Sequence, residues 1–298
     1  MSHNHLHISD RLFEYRATEK RKLILSLVIT VTVMAVEVVG GLLTGSIALI
    51  SDAGHMFTHA FAIGLGLAAI AIARKPLCHH RTFGLFRAEI LAAFVNGLFL
   101  LLVAGVIVYE SVERLLNPQT VLGKEMLVVA MIGLVTNVAS ILILHGSHKK
   151  DLNVRSVFFH MMADAASSVG IVIAAILILK TGWTFLDPIV SIGISAAIVV
   201  WAWSILREST VILLEMAPGG LNVDMVSDDL LARFPNIESL DNVHLWAITA
   251  DMLVFSAHIR VQIGIDSDGQ SQLIHDISNY LSETYHIIET TLQVEVVG

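Results

Sequence analysis

The chain has 298 residues, 55% of them hydrophobic and 15% charged, with a formal net charge of -8 when its 14 histidines are neutral. The charged share falls well short of the roughly one quarter usual in soluble globular domains, and no basic stripe points to a nucleic-acid partner. One cysteine, Cys78, rules out an internal disulfide and any CxxC metal site.

The apolar residues gather in six blocks, at 23–43, 47–73, 90–112, 126–144, 157–179 and 188–206. Each is close to the roughly 20 residues a membrane-spanning helix needs. Residues 1–17 are polar and charged, so no signal peptide is read there. Basic residues favour alternate connections: Lys20, Arg21 and Lys22 before the first block, Arg74, Lys75, Arg81 and Arg87 after the second, Lys149, Lys150 and Arg155 after the fourth, and Arg207 after the sixth. The opposite side has only Arg114, Lys124 and Lys180. That asymmetry predicts a cytoplasmic tail at 1–21, a six-helix membrane domain at 22–207 and a cytoplasmic domain at 208–298.

In chain order, the tail carries His3, His5 and His7, a short His-rich stretch that either holds metal loosely or is idle. Glu37 in the first helix is read as a structural acid bonded to a neighbouring helix, with a water-filled cavity as the alternative. The short Thr44-Gly45-Ser46 link predicts a tight antiparallel pair of helices one and two. Helix two carries Asp52, His55 and His59, whose spacings of three and four put them on one face. His55 and His59 are then about 6 Å apart along the axis, so two imidazoles can converge on one ion. Asp52, one turn nearer the outer end, is read as a capping or exit-path residue. His79-His80 suit a solvated loop. Asn96, Asn137 and Ser140 read as polar packing anchors within helices three and four. His145 and His148 read as part of a membrane anchor.

Helix five repeats the spacing with His160 and Asp164, followed by Ser167 and Ser168. A carboxylate at this depth needs a positive partner, and no intramembrane Lys or Arg offers itself. A divalent cation or a bound proton meets that need. The two i, i+4 pairs together read as a metal site between two membrane helices. Asp187-Pro188 opens helix six.

After Arg207 the pattern turns soluble. Residues 222–233 are helical in period, with Asn222 as cap. Residues 239–249 and 252–263 alternate around a turn at Ala250-Asp251, 271–285 are helical, and 290–297 form an edge strand. The order α-β-β-α-β predicts a small α/β domain with helices on one face of a sheet. It holds the scattered ligand types His244, His258, His275 and Glu295.

The chain resembles the cation diffusion facilitators. The resemblance is carried by the run from Ser46 through Asp52-Ala53-Gly54-His55-Met56, by the run from Thr82-Phe83-Gly84 through Arg87-Ala88-Glu89 to Asn96, by His160 to Asp164, and by Val243-His244-Leu245-Trp246. It implies an α-helical membrane protein of six transmembrane helices, a metallochaperone-like cytoplasmic domain, a homodimer in the cell membrane and exchange of a cytoplasmic metal ion for protons. It places four tetrahedral ligands on His55, His59, His160 and Asp164. The chain departs from the family pattern at His59, where zinc members commonly carry Asp. Three imidazoles and one carboxylate suit Zn²⁺, with Co²⁺, Ni²⁺ or Cd²⁺ as alternatives. In the cytoplasmic domain, His244, His258, His275 and Glu295 are implied as a regulatory metal site. A histidine usual nearby is missing there, with Asp241 as a substitute.

The expected activity is therefore Zn²⁺/H⁺ antiport across a bilayer. A metal-gated channel or sensor would use similar ligands without proton exchange. A membrane metalloenzyme would show HExxH or a helper acid beside its ligands, and none is present.

Overall fold

The computed structural model describes residues 20–73, 84–144, 152–261 and 267–296. For residues 20–27, 30, 59, 63, 140, 143–144, 152–161 and 296 only the backbone is described. The tail histidines, Cys78, His79, His80, His145 and His148 lie outside the described residues.

Six long helices come first: α1 Lys20–Thr44, α2 Ile47–Ala73, α3 Arg87–Leu116, α4 Gly123–Leu144, α5 Leu152–Thr181 and α6 Leu186–Leu213. All six apolar blocks fall inside them. Among the described residues, α2, α3, the Met162–Thr181 part of α5 and α6 are long and apolar enough to cross a membrane, and Val31–Thr44 of α1 is a shorter apolar stretch. Large apolar side chains stay outward along these helices, as with Leu98, Leu102 and Val106 on α3 and Val200 and Trp203 on α6. A surface of that kind is favourable against lipid and costly against water.

Contacts divide the chain into two compact units, the first running to Gly64 and resuming at Asn96–Ala202, the second made of Leu65–Val95 and Trp203–Gly298. In the first unit, the short link after Thr44 brings the end of α1 against the start of α2. Gly45 turns the chain with φ +70°, and a Cβ on Gly41 would lie 2.7 Å from Ile50 Cγ1. Helix α1 also lies close on α4, because a Cβ on Gly40 would lie 2.5 Å from Val129 Cγ1. Helix α4 packs along α5, burying Met126, Ala130, Ile171, Ala174 and Ala175. Small residues let such backbones approach where apolar burial alone gives no preference for protein over lipid.

The second unit contains α7 Val223–Arg233, β1 Ile237–Thr249, β2 Met252–Val261, α8 Ser267–Tyr285 and β3 Ile287–Val296. The α-β-β-α-β order is as read from the sequence. Asn222 caps α7 through its side-chain oxygen, which accepts from Met225 N at 2.6 Å. The sheet order is β1-β2-β3, with β1 and β2 antiparallel and β2 and β3 parallel. One core of Val226, Leu230, Phe255, Ile259, Ile277 and Leu281 joins both helices to the sheet. Strand β3 starts three residues before its expected position. His286 has φ +58°, so a single left-handed residue ends α8 and leads straight into the strand.

Candidate metal centre

Helix α2 brings its polar face into the first unit from an N-terminus with complete hydrogen bonding. Its first four N–H groups have no partners within the helix. Here Ile47 N donates to Asp187 Oδ2 at 2.7 Å and Ala48 N to Asp187 Oδ1 at 3.2 Å. Leu49 N donates to Ser46 Oγ at 3.2 Å, and Ile50 N to Ser46 O at 3.5 Å. The Ser46 hydroxyl itself donates to Asp187 Oδ1. Ile47, Ala48 and Leu49 are buried, so no water could replace these acceptors. Arg114 closes the same end, donating to Gly45 O and pairing with Glu110 at 3.0 Å.

Two turns along α2, His55 meets Asp164 of α5. Nε2 and Oδ1 are 3.4 Å apart, and the residues are 8% and 9% exposed. The i, i+4 positions His59 and His160 lie on the same two helices, with only their backbones described. Trp201 of α6 stands beside the imidazole, ring centroids 6.1 Å apart. Among residues with described side chains, no group of three or more metal-ligand types is close enough to hold an ion. The pair seen here is half of the four-ligand set read from the sequence.

Asp52 lies beside the pair and is 1% exposed. Ser167 Oγ is 2.7 Å from its Oδ1, and Ser168 Oγ is 3.5 Å from its Oδ2. Asn137 of α4 donates to Ser168 Oγ at 3.1 Å. Asp52 is thus a hydrogen-bonded acid held between α2 and α5, and Asn137 is a packing anchor, as expected. The role of Asp187 was not visible in the sequence. Asp-Pro signals the start of its own helix, and nothing local shows that its carboxylate caps another helix 140 residues away.

In the C-terminal domain, the register sets Asp241 opposite His258 and Arg260 opposite Glu295. His258 Nδ1 lies 3.6 Å from Glu295 Oε1, and Arg260 Nε lies 3.2 Å from Asp241 Oδ2. A bulge between Asp241 and His244, where Asn242 has φ +50°, separates His244 from this group. His244 instead lines a cavity of about 450 Å³ with Glu215, Trp246 and Ser256. His275 pairs along its own helix with Asn279 at 3.0 Å. Within one protomer the sheet joins His258 and Glu295 and leaves His244 and His275 apart from them. Arg87 and Glu215 form an exposed ion pair at 2.7 Å.

A buried imidazole–carboxylate pair lying between helices long and apolar enough to cross a bilayer marks a multi-pass membrane protein. Family comparison agrees: the cation efflux transmembrane domain matches residues 23–214, and the cation efflux protein cytoplasmic domain matches residues 218–297. The chain belongs to the cation efflux family, whose members are transporters and not enzymes. It is 40% identical to the zinc transporter ZitB of Pectobacterium atrosepticum over 99% of this chain and 89% of that protein. It is 38% identical to ZitB of Escherichia coli over 99% of this chain and 93% of that one. A cadmium, cobalt and zinc/H(+)-K(+) antiporter of Bacillus velezensis is 33% identical over 99% and 92%.

Proposed function

We propose that the chain exports a divalent cation, Zn²⁺ foremost, from the cytoplasm in exchange for protons. The observation that carries this is the 3.4 Å His55–Asp164 approach between α2 and α5, buried among apolar helices. His59 and His160 supply the other two ligands. A metal needs neutral imidazoles and an ionised carboxylate, so protons compete for the same atoms. Alternating access around such a site couples the two fluxes. Three nitrogens and one oxygen favour Zn²⁺, Co²⁺, Ni²⁺ and Cd²⁺ over Mn²⁺ and Mg²⁺. The relatives named as zinc transporters support Zn²⁺ first.

The protein works as a homodimer in the cell membrane, with tail 1–21 and domain 208–298 on the cytoplasmic side of the 22–207 membrane domain. The family's cytoplasmic domain and the loop charges support this arrangement. A second Zn²⁺ position in that domain, regulatory rather than transported, fits His258 and Glu295 with Asp241 across the strand. Its donors are one imidazole and two carboxylates, and the ion must displace Arg260 from Asp241. His244 and His275 join it only through the partner protomer.

Uptake of Zn²⁺ into proteoliposomes with an acidic lumen tests the reading, comparing wild type with Asp164→Asn. Wild-type uptake that grows with the pH gradient and collapses with an ionophore supports antiport. Equal uptake without a gradient indicates a channel, and undiminished uptake by the variant removes the site.

A further inference from the structure

The ligands of the proposed metal site come from α2 and α5, yet a third helix reaches it. The Trp201 indole of α6 stands beside the His55 imidazole, with ring centroids 6.1 Å apart and planes tilted by 53°. That separation falls within the roughly 4.5–7 Å over which aromatic rings attract one another. On the same helix Ile198 and Ala202 are 1% and 0% exposed, whereas Trp201 is 39% exposed. The indole therefore lies at the rim of the α6 packing face, and His55, 8% exposed, lies inside it.

The helix geometry shows from which side the indole comes. Helices α2 and α6 begin side by side, because Asp187 accepts from Ile47 N and Ala48 N. Counted from that shared end, His55 lies about 12 Å along α2 and Trp201 about 21 Å along α6. Side chains on a helix lean back toward its N-terminus. The indole thus reaches back over the imidazole from the side that the loop charges assign to the cytoplasm.

Without an ion, the 3.4 Å contact with Asp164 fixes the imidazole at Nε2. An ion taken up between the two side chains draws Nε2 and Oδ1 to itself, and that direct contact no longer orients the ring. The indole contact uses no ligand atom and survives metal binding. An imidazole that shares its lone pair with a divalent cation is electron-poor, and an indole π-system attracts such a ring. We infer that Trp201 is a positioning residue for metal binding, holding the His55 imidazole toward the ion without ligating it. The inference rests on the reading of His55 and Asp164 as ligands. A ligand already held in direction loses less freedom when the ion arrives, so the indole raises affinity and narrows the coordination geometry.

The test uses the full-length protein in detergent with Co²⁺ as probe, whose visible bands report coordination geometry. The difference between wild type and Asp164→Asn isolates the membrane site from any cytoplasmic one. Trp201→Leu keeps apolar bulk at the rim without a ring, and Trp201→Phe keeps a ring. Trp201→Leu is expected to weaken Zn²⁺ binding about 2- to 10-fold and to alter the Co²⁺ bands, with Trp201→Phe restoring most of both. Weaker binding with wild-type bands in Trp201→Leu would assign Trp201 a merely structural role and overturn the inference. Fluorescence adds an arm that stands even if Trp201→Leu does not fold. Of the four tryptophans, Trp201 is expected to carry the quenching by Co²⁺ that Asp164→Asn abolishes, so Trp201→Phe should lose it. Quenching retained in Trp201→Phe overturns the inference. Co²⁺ bands indifferent to Asp164→Asn would sink the metal-site reading itself. Bands lost in Asp164→Asn but unchanged in Trp201→Leu would sink only the role of Trp201.

Discussion

Asp187 Oδ2 accepts a hydrogen bond from Ile47 N at 2.7 Å, so the first residues of α6 cap the helix that carries His55. The same carboxylate takes Ala48 N and the Ser46 hydroxyl. Loss of these acceptors strands buried donors, each costing about 1–3 kcal/mol. Asp187→Ala should therefore lower the thermal unfolding midpoint of the full-length protein in detergent by several degrees. Asp187→Asn, which keeps one acceptor oxygen, should lower it less. Equal midpoints for all three proteins would show that the cap is energetically idle.

Contact between α1 and α4 depends on missing side chains. A Cβ at residue 40 would sit 2.5 Å from Val129 Cγ1 and 2.6 Å from Cγ2. Gly40→Ala should destabilise by about 1–3 kcal/mol, the usual range for overpacking. Val129→Ala removes both methyl groups, so the double variant should recover much of the loss. Strict additivity in denaturation would argue that the helices do not meet this way.

His59 decides which ions are accepted if it is a ligand. His59→Asp replaces a nitrogen with oxygen, giving a harder donor set. Transport should persist, with the order among Zn²⁺, Co²⁺, Ni²⁺ and Cd²⁺ changed in a proteoliposome uptake panel. Indifference of all four rates to the substitution would remove His59 from the ligand set.

In the C-terminal domain, Asp229 Oδ2 accepts from both Tyr280 and Tyr285 hydroxyls at 2.7 Å. Hydrogen bonds from Tyr285 and then Tyr280 hold the Asp229 carboxyl below its usual value. The bond to Asp229, with burial adding to it, pushes Tyr285 up to about 12. The acid side and the alkaline side follow opposite signs. The Asp229 contribution is present above the unfolded value of 3.8 and is lost as pH falls through the lowered folded value. The Tyr285 contribution is present below the unfolded value of 10.0 and is lost as pH rises through about 12. Tyr285→Phe should flatten the alkaline loss of stability in circular dichroism melts, with Tyr280 retaining part of the tie. An unaltered alkaline limb would dismiss the Tyr285 bond as a source of stability.

Much of the molecule is legible from local pattern alone. Six apolar blocks, the α-β-β-α-β order and the Asn222 cap are set by composition, periodicity and neighbouring residues, which the sequence displays directly. The i, i+4 spacing of His55 with His59 and of His160 with Asp164 singled out α2 and α5, the two helices whose His55 and Asp164 meet. The folded chain then brought His55 to Asp164, laid Glu37 against Gly133, and set Asp187 on the start of α2. It also joined His258 to Glu295 while a bulge left His244 elsewhere. Helical period and strand alternation say which face a residue takes on its own element. They do not say which face of a distant element it meets, because that depends on backbone approach distances, strand register and single left-handed residues that only the packed structure fixes.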